Sequence, residues 1–338
     1  MKAKKKLVAI LIGLIIFLCL VGSFVYLIMP ISSGSRTFEI NISKNDTKKD
    51  VINKLEKVGA VKIPFIASAY LGFKGEDKFS KGVYEFKTDS SVKSMLDDIA
   101  SGKTAKDRFI TVTIPEGFSV NQIADKLLSE KVISSKQEFI NEINTGDFSK
   151  FDFVKNIPSG RKFRLEGYLY PDTYEFKKDS SNNEVISKML TNFNETVYPS
   201  IKEGAKKLLI SEDDIVTMAS VVEKEARSDE ERPIISGVFY NRIKSDMKLQ
   251  SCATVLYALG SHKDKLYNKD LEVDSPYNTY KNKGLPLGPI ASPGIKSVNA
   301  AINPSQHDYI YFVLQNSGKH FFTKDYNEFL KAKKASNI

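Results

Sequence analysis

Residues Leu7 to Met29 carry no charged side chain and form a run of 23 largely apolar residues. Wound as a helix at about 1.5 Å per residue, the run is roughly 35 Å long, enough to cross the hydrocarbon of a bilayer. Lys2, Lys4, Lys5 and Lys6 precede it, and only Arg36 follows closely. The positive-inside rule then puts the amino terminus in the cytoplasm and everything after Pro30 outside. A cleaved signal peptide is the competing reading. The run is too long for a typical signal core, however, and no small-x-small cleavage site ends it. Nor is Phe17-Leu18-Cys19 a lipoprotein site, because bulky Leu18 precedes the cysteine. The expectation is an uncleaved, single-pass anchor in the cytoplasmic membrane, with residues 1–30 as cytoplasmic tip and span. That placement removes cytoplasmic partners, including most nucleic acid and nucleotides, from the candidates.

At 338 residues the rest of the chain has room for two or three domains. The net charge of +9 suits an acidic partner or surface. Its basic residues are spread along the chain without a basic-aromatic nucleic-acid motif. Cys19 lies in the apolar run and Cys252 stands alone, so no disulfide framework is expected. His262, His307 and His320 have no metal-ligand spacing with one another or with Cys252. Neither a metal nor a cofactor is expected.

After a short polar linker, residues 31–35, Phe38 to Ile42 alternates like a strand and Thr47 to Val58 has the period of an amphipathic helix. A similar unit begins at Ile110, with Thr111 to Ile114 as strand, a Pro115-Glu116-Gly117 turn, and Val120 to Lys131 as helix. Both copies contain Ile-x-x-Lys-Leu and step back to a valine, which suggests a weak internal duplication. Between them Lys81 to Phe86 reads as strand and Val92 to Ala100 as helix. In layout these units resemble the LysM carbohydrate-binding modules of cell-wall proteins; a plain stalk is the alternative.

Farther on, the stretch Phe163 to Phe176 holds three tyrosines, two phenylalanines and two glutamates, Glu166 and Glu175. It reads either as the lining of a sugar groove or as two ordinary strands around a Pro-Asp turn. Val185 to Glu203 is helical by pattern, and Pro233 starts another helix through Ile243. Gly284 to Gly294 alternates Gly and Pro, which makes a stiff loop suited to one wall of a groove.

The most informative helix begins at Ser211, which forms a capping-box pattern with Asp214. Met218, Val221, Val222 and Glu225 follow the i, i+3, i+4, i+7 rule and share one face. Glu223 lies about 160° away around the helix, with Arg227 four residues later as a surface partner. Glu225 has Asp229 at that position and no such partner. The pattern thus separates a solvated, paired acid from a half-buried one, and burial is what raises a carboxylic acid toward general-acid use. The plain alternative ends the apolar stripe at Val222 and leaves Glu225 in water.

The run Ala219-Ser220-Val221-Val222-Glu223-Lys224-Glu225, together with Asn241-Arg242, Leu249-Gln250, Tyr277-Asn278-Thr279-Tyr280, Gly284-Leu285-Pro286 and Pro289 to Gly294, resembles the endolytic murein transglycosylases, the YceG-like family. Leu165-Glu166-Gly167 and Pro171 to Tyr174 match the same pattern, and the likeness covers nearly the whole chain in order. It implies an α+β protein with an N-terminal transmembrane helix, a LysM-like or stalk module over 31–108, and a mixed α+β catalytic region over 109–338. That region would include a second small unit, 109–145, and a catalytic core from about 160. The resemblance implies cleavage of the β-1,4 bond between N-acetylmuramic acid and N-acetylglucosamine in peptidoglycan, without a cofactor. The family's essential glutamate falls on Glu225. Gln250, Asn278, Tyr277, Thr279, Tyr280 and Glu166 are the implied substrate contacts, and peptidoglycan strands, the membrane and peptidoglycan synthases the implied partners. Members often carry Asp where this chain has Cys252. Two other readings stay open: a hydrolase using Asp270, Glu272 or Asp274 as second carboxylate, and a silent wall-binding scaffold.

Overall fold

The computed structural model describes residues 2–32, 34–43, 46–74, 79–104, 109–260, 263 and 266–336, with backbone alone for 2–5 and 9. The side chains of Lys2, Lys4 and Lys5, linker residue Ser33, and His262 lie outside the described residues. The chain is a mixed α+β protein that divides into two compact units, Met1–Phe109 and Ile110–Ile338.

The first unit opens with helix α1 (Lys2–Ile28), on which Leu7, Ile10, Leu14, Phe17 and Leu20 are uncovered by protein. There follow β1 (Thr37–Ile42), α2 (Lys48–Lys57), α3 (Pro64–Phe73), β2 (Gly82–Lys87) and α4 (Val92–Ala100). β1 and β2 pair antiparallel, Thr37 opposite Lys87 and Ile42 opposite Gly82. Their inner faces and the helices enclose Ile40, Ile42, Leu55, Leu71, Tyr84, Met95, Leu96 and Ile99. Helix α3 was not expected from the pattern. Its N-cap residue Ile63 has no capping side chain; instead the Tyr26 hydroxyl of α1 accepts from Lys62 N (2.9 Å) and Ile63 N (3.1 Å). The expected free linker is likewise partly built in. Ile31 N donates to Ser90 O (3.1 Å), Ser32 N donates to Thr88 O (2.8 Å), and Ile31 is buried.

The second unit begins with β3 (Phe109–Thr113), α5 (Val120–Ser129), α6 (Lys136–Thr145) and the single turn α7 (Asp152–Lys155). β3 pairs with β4 (Thr173–Lys177). The two texts that looked duplicated are built alike. Each helix opens with a capping box, Thr47 with Asp50 and Ser119 with Gln122. After each helix the chain doubles back onto one leucine carbonyl, Ala60 N to Leu55 O (2.9 Å) and Val132 N to Leu127 O (2.9 Å). The connections to their strand partners differ, since β2 lies beyond α2 and α3 whereas β4 lies beyond α5, α6 and α7.

The aromatic stretch before β4 goes into the core, and only one strand forms there. Phe163, Tyr168, Tyr170, Tyr174 and Phe176 are buried, with Tyr168 stacked on Phe153 at 5.4 Å. A sugar-lining role for this stretch is thereby overturned. Helix prediction over 185–203 also needs correcting. α8 (Asn182–Thr196) and α9 (Tyr198–Leu208) are separate, because Pro199 lacks the N–H to continue α8 and starts α9 instead.

Helix α10 (Glu212–Glu225) forms the centre of this unit, every residue from Ile215 to Val222 being buried. It packs against α9, α11 (Arg232–Lys244), α12 (Cys252–Leu259) and α13 (Ile295–Ile302). The hairpin β5 (Tyr311–Leu314) and β6 (His320–Thr323) follows, and α14 (Tyr326–Ala335) packs on it. Asn241 and Arg242 tie this hairpin down, Asn241 Nδ2 donating to His307 O (2.7 Å) and Arg242 Nε to Ile310 O (2.7 Å).

Candidate active site

Because α10 is enclosed along its length, its last turn sets what reaches the surface. Ser211 and Asp214 close the expected capping box at one end. At the other end the backbone turns extended at Ala226, leaving Glu225 half-buried. The Ser251 hydroxyl donates to Glu225 Oε1. Arg242, Cys252 and Tyr280 also interact electrostatically with this carboxylate.

Glu223 is not the solvated acid that the helical wheel suggests. Its side chain is only 7% exposed, and its partner is Arg232 (NH1 to Oε1, 3.1 Å), not Arg227. The other oxygen accepts from Gly294 N at 3.0 Å. The physical reason is that Arg232 of α11 and the backbone of Gly294 cover Glu223, while its neighbour Lys224 is the exposed residue of this turn. The later part of the Gly-Pro segment is correspondingly no open groove wall, since residues 288–294 are all buried, while Gly284, Leu285 and Leu287 are half-buried. Ile290 N donates to Ser220 Oγ (3.0 Å), Ser292 N to Phe118 O (2.8 Å), and Gly117 N to Ser292 O (2.8 Å). The segment therefore straps α10 to the Pro115-Glu116-Gly117 turn and fixes the end that carries the two acids. Glu116 rests over Gly294, and partial burial, then the Glu223 charge, hold its carboxyl above the ordinary range.

Of the other expected contacts, Tyr280 interacts with Glu225, and Gln250 immediately precedes Ser251, which holds that carboxylate. Gln250 is exposed and adopts φ 51°, left-handed backbone that a non-glycine residue holds only when its surroundings impose it. Gln250 N donates to Thr279 O (3.1 Å) and Arg242 NH1 to Leu249 O (2.6 Å), which supply that constraint. The Tyr280 hydroxyl lies 3.2 Å from Cys252 Sγ, and burial pushes its titration up. The thiol thus occupies, against Tyr280, the position where an aspartate was expected.

The remaining expected contacts are used internally. Asn278 is fully buried and its amide donates to Leu271 O and Val273 O, both at 2.8 Å, locking its own loop. Thr279 is buried against Thr254, their hydroxyls 2.8 Å apart. Tyr277 is buried with its ring 4.8 Å from that of Tyr257. Glu166 is fully enclosed; its oxygens accept from Val120 N and Tyr257 OH, each at 2.9 Å. It thereby satisfies a free N–H of α5's first turn, and burial pushes its carboxyl up to about 7. None of these four side chains is open to a ligand. Ser251, buried and in contact with Glu225, was not singled out from the sequence, where a serine ahead of a helix reads simply as an N-cap.

The alternative second carboxylates are poorly suited. Asp270 is held by Lys263 Nζ (2.6 Å) and Tyr267 N (2.9 Å), and the lysine keeps its carboxyl below the usual range. Glu272 and Asp274 are exposed. Among the described residues no group of three or more His, Cys, Asp or Glu side chains is arranged to hold a metal.

One half-buried glutamate, steadied by a hydroxyl and backed by a strapped core helix, is the centre that this unit presents. Residues 40–335 match the YceG-like family. The chain belongs to that family. A Bacillus subtilis relative named endolytic murein transglycosylase is 38% identical over 332 residues, 92% of this chain and 89% of its own. A Streptococcus pneumoniae protein of the same name is 31% identical, covering 94% of this chain and 63% of its own length. The crystal structure of a yceG-like protein from Listeria monocytogenes superposes with TM-score 0.62 at 34% identity, over 87% of this chain and 98% of that one.

Proposed function

We propose that the chain is a membrane-anchored endolytic lytic transglycosylase. Its substrate is the β-1,4 bond from N-acetylmuramic acid to N-acetylglucosamine in nascent peptidoglycan, and Glu225 is its acid and base. The observation that carries the reading is the environment of Glu225: one carboxyl oxygen is held by Ser251, at the exposed end of a buried helix, in a family whose relatives bear that activity's name.

Protonated Glu225 gives its proton to the glycosidic oxygen as the bond to C1 breaks. The carboxylate then takes the proton of the muramic C6 hydroxyl, whose oxygen closes on C1. The products are a 1,6-anhydro end and a free 4-hydroxyl, with no net water. A single carboxylate suffices because the substrate provides the nucleophile, unlike two-carboxylate hydrolysis. Exposed Gln250 is the candidate donor to the sugar, and Tyr280 the candidate stacking face.

Anchoring by α1 is supported by Tyr26 and Leu27, which pack into the first unit; a cleaved signal would remove both. The β1–α2–α3–β2 order supports a LysM-like carbohydrate-binding role for that unit. With the amino terminus in the cytoplasm and the rest outside, cutting near the membrane would terminate glycan elongation beside the synthases.

Mass spectrometry of peptidoglycan digested by the full chain in detergent tests the reaction. Anhydro ends are expected with the native protein and none with Glu225→Gln. Reducing ends, or undiminished cutting by the variant, would refute it. In cells, deletion and Glu225→Gln should lengthen glycan strands equally.

A further inference from the structure

Ser251 occupies the N-cap position of α12 with extended backbone, φ −84° and ψ 125°, yet its side chain makes no capping hydrogen bond. A serine there ordinarily accepts from an N–H of the first turn. Here the hydroxyl is turned to Glu225 instead. Its backbone is fixed on both sides. Ser251 N donates to Thr279 Oγ1 (3.1 Å), and Ser251 O accepts from Thr254 Oγ1 (2.8 Å). The two threonine hydroxyls are 2.8 Å apart.

Thr254 Oγ1 donates to Ser251 O, and the Thr254 and Thr279 hydroxyls share a further hydrogen bond in which either can be the donor. Ser251, Thr254 and Thr279 are all buried. The Ser251 hydroxyl donates to Glu225 Oε1.

Resting on the reading of Glu225 as acid and base, we propose that Ser251 is a positioning residue that keeps the exchangeable proton on Oε2. A proton on Oε1 would face the serine's own proton and strip a buried hydroxyl of its acceptor. The acid form is therefore O–H at Oε2, the oxygen without the serine, and the same oxygen recovers a proton from the C6 hydroxyl. Delivery and recovery occur at one atom, without rotation of the carboxyl group. The buried threonines act through the Ser251 backbone, which explains why the Thr279 and Leu-Gln motifs lie together although Thr279 is closed to substrate. Other titratable or charged groups interacting with Glu225 are Arg242 on α11, Cys252 at the head of α12, and Tyr280; none donates to Oε1.

The test compares Ser251→Ala and Ser251→Thr in the full chain, with initial rates of anhydro-end formation measured against pH and thermal unfolding alongside. Removing a donor to the carboxylate disfavours the ionised form. For Ser251→Ala we expect kcat to fall roughly 10- to 100-fold with little change in KM. The alkaline limb of its rate profile should move up by about one pH unit. Ser251→Thr, which keeps the hydroxyl, should restore both. A native rate and pH profile in Ser251→Ala would overturn the proposal. So would a loss with an unmoved pH limb, as a purely structural role predicts. If Ser251→Thr does not fold, the Ser251→Ala profile still decides. Glu225→Gln separates the two readings: full activity there removes the catalytic glutamate itself and this inference with it, whereas inactive Glu225→Gln beside native-like Ser251→Ala removes only the inference.

Discussion

Replacing Gly167 with alanine tests whether the buried Gly-Pro strap is rigid. Gly167 has φ +86°, and a Cβ built there would lie 2.4 Å from Pro289 Cβ and 3.1 Å from Val216 Cγ1. The left-handed backbone alone costs a non-glycine residue about 1–2 kcal/mol. Pro289 is a closed ring inside the strap and cannot swing aside, so overpacking adds about 1–3 kcal/mol. The sum is about 2–5 kcal/mol. Gly160 is a matched control, with φ +85° and open space within 4 Å of where its Cβ would stand; there only the backbone cost of about 1–2 kcal/mol applies. At about 2–4 °C per kcal/mol for a unit of this size, Gly167→Ala should lower Tm by about 4–20 °C. The control should lose clearly less. Thermal unfolding of the two variants side by side provides the comparison. Equal losses would mean that Pro289 yields, and that the strap does not hold the acid-bearing end of α10 in place.

Glu166 should make stability fall as pH rises. Its native carboxyl stays protonated to about 7, against 4.5 for an unperturbed glutamate, so the stabilisation is complete below about 4.5 and lost on rising to about 7, by about 3 kcal/mol. E166Q should flatten Tm across that window, and an unchanged slope would refute the assignment. Glu223→Gln breaks the pair with Arg232 and should cost about 1–3 kcal/mol in thermal unfolding, while measurable cleavage persists because Glu225 is untouched. Tyr26→Phe removes the acceptor for two amides, at a cost of about 1 kcal/mol; hydrogen exchange at Lys62 and Ile63 should quicken, and unchanged exchange would show the contact idle.

Features encoded within one helical turn were legible in the sequence. The capping box at Ser211 is the one read from the sequence, and those at Thr47, Ser119 and Ser181 form by the same three-residue spacing of acceptor and donor. The Ser181 box opens a helix that the pattern began at Val185. The face shared by Val221, Val222 and Glu225 follows from the same short-range geometry. Glu223 was misread because the groups that enclose it, Arg232 and Gly294, come from other elements. No helical wheel contains them. The family motifs mark positions, and the hydrogen bonds made at those positions come from the tertiary structure alone. Asn278, Thr279 and Glu166 are polar residues whose hydrogen bonds are consumed inside the protein, while Ser251, one residue after Gln250, reaches the carboxylate. Helix α3 is apolar nearly throughout and has no capping side chain, so neither an amphipathic period nor a cap marks it in the sequence.

On the proposed anchoring, the junction after α1 also governs how the first unit would meet the bilayer. A free five-residue tether would allow the folded part to wander over roughly 12 Å in any direction. With Tyr26 accepting from Lys62 and Ile63, and Ile31 and Ser32 paired to the end of β2 and the turn after it, that freedom is gone. On the proposed anchoring, helix and unit would tilt as one body, so a change in bilayer thickness that alters helix tilt would alter the angle of the unit by the same amount. Lipid composition would then be a mechanical input to the unit that follows the span.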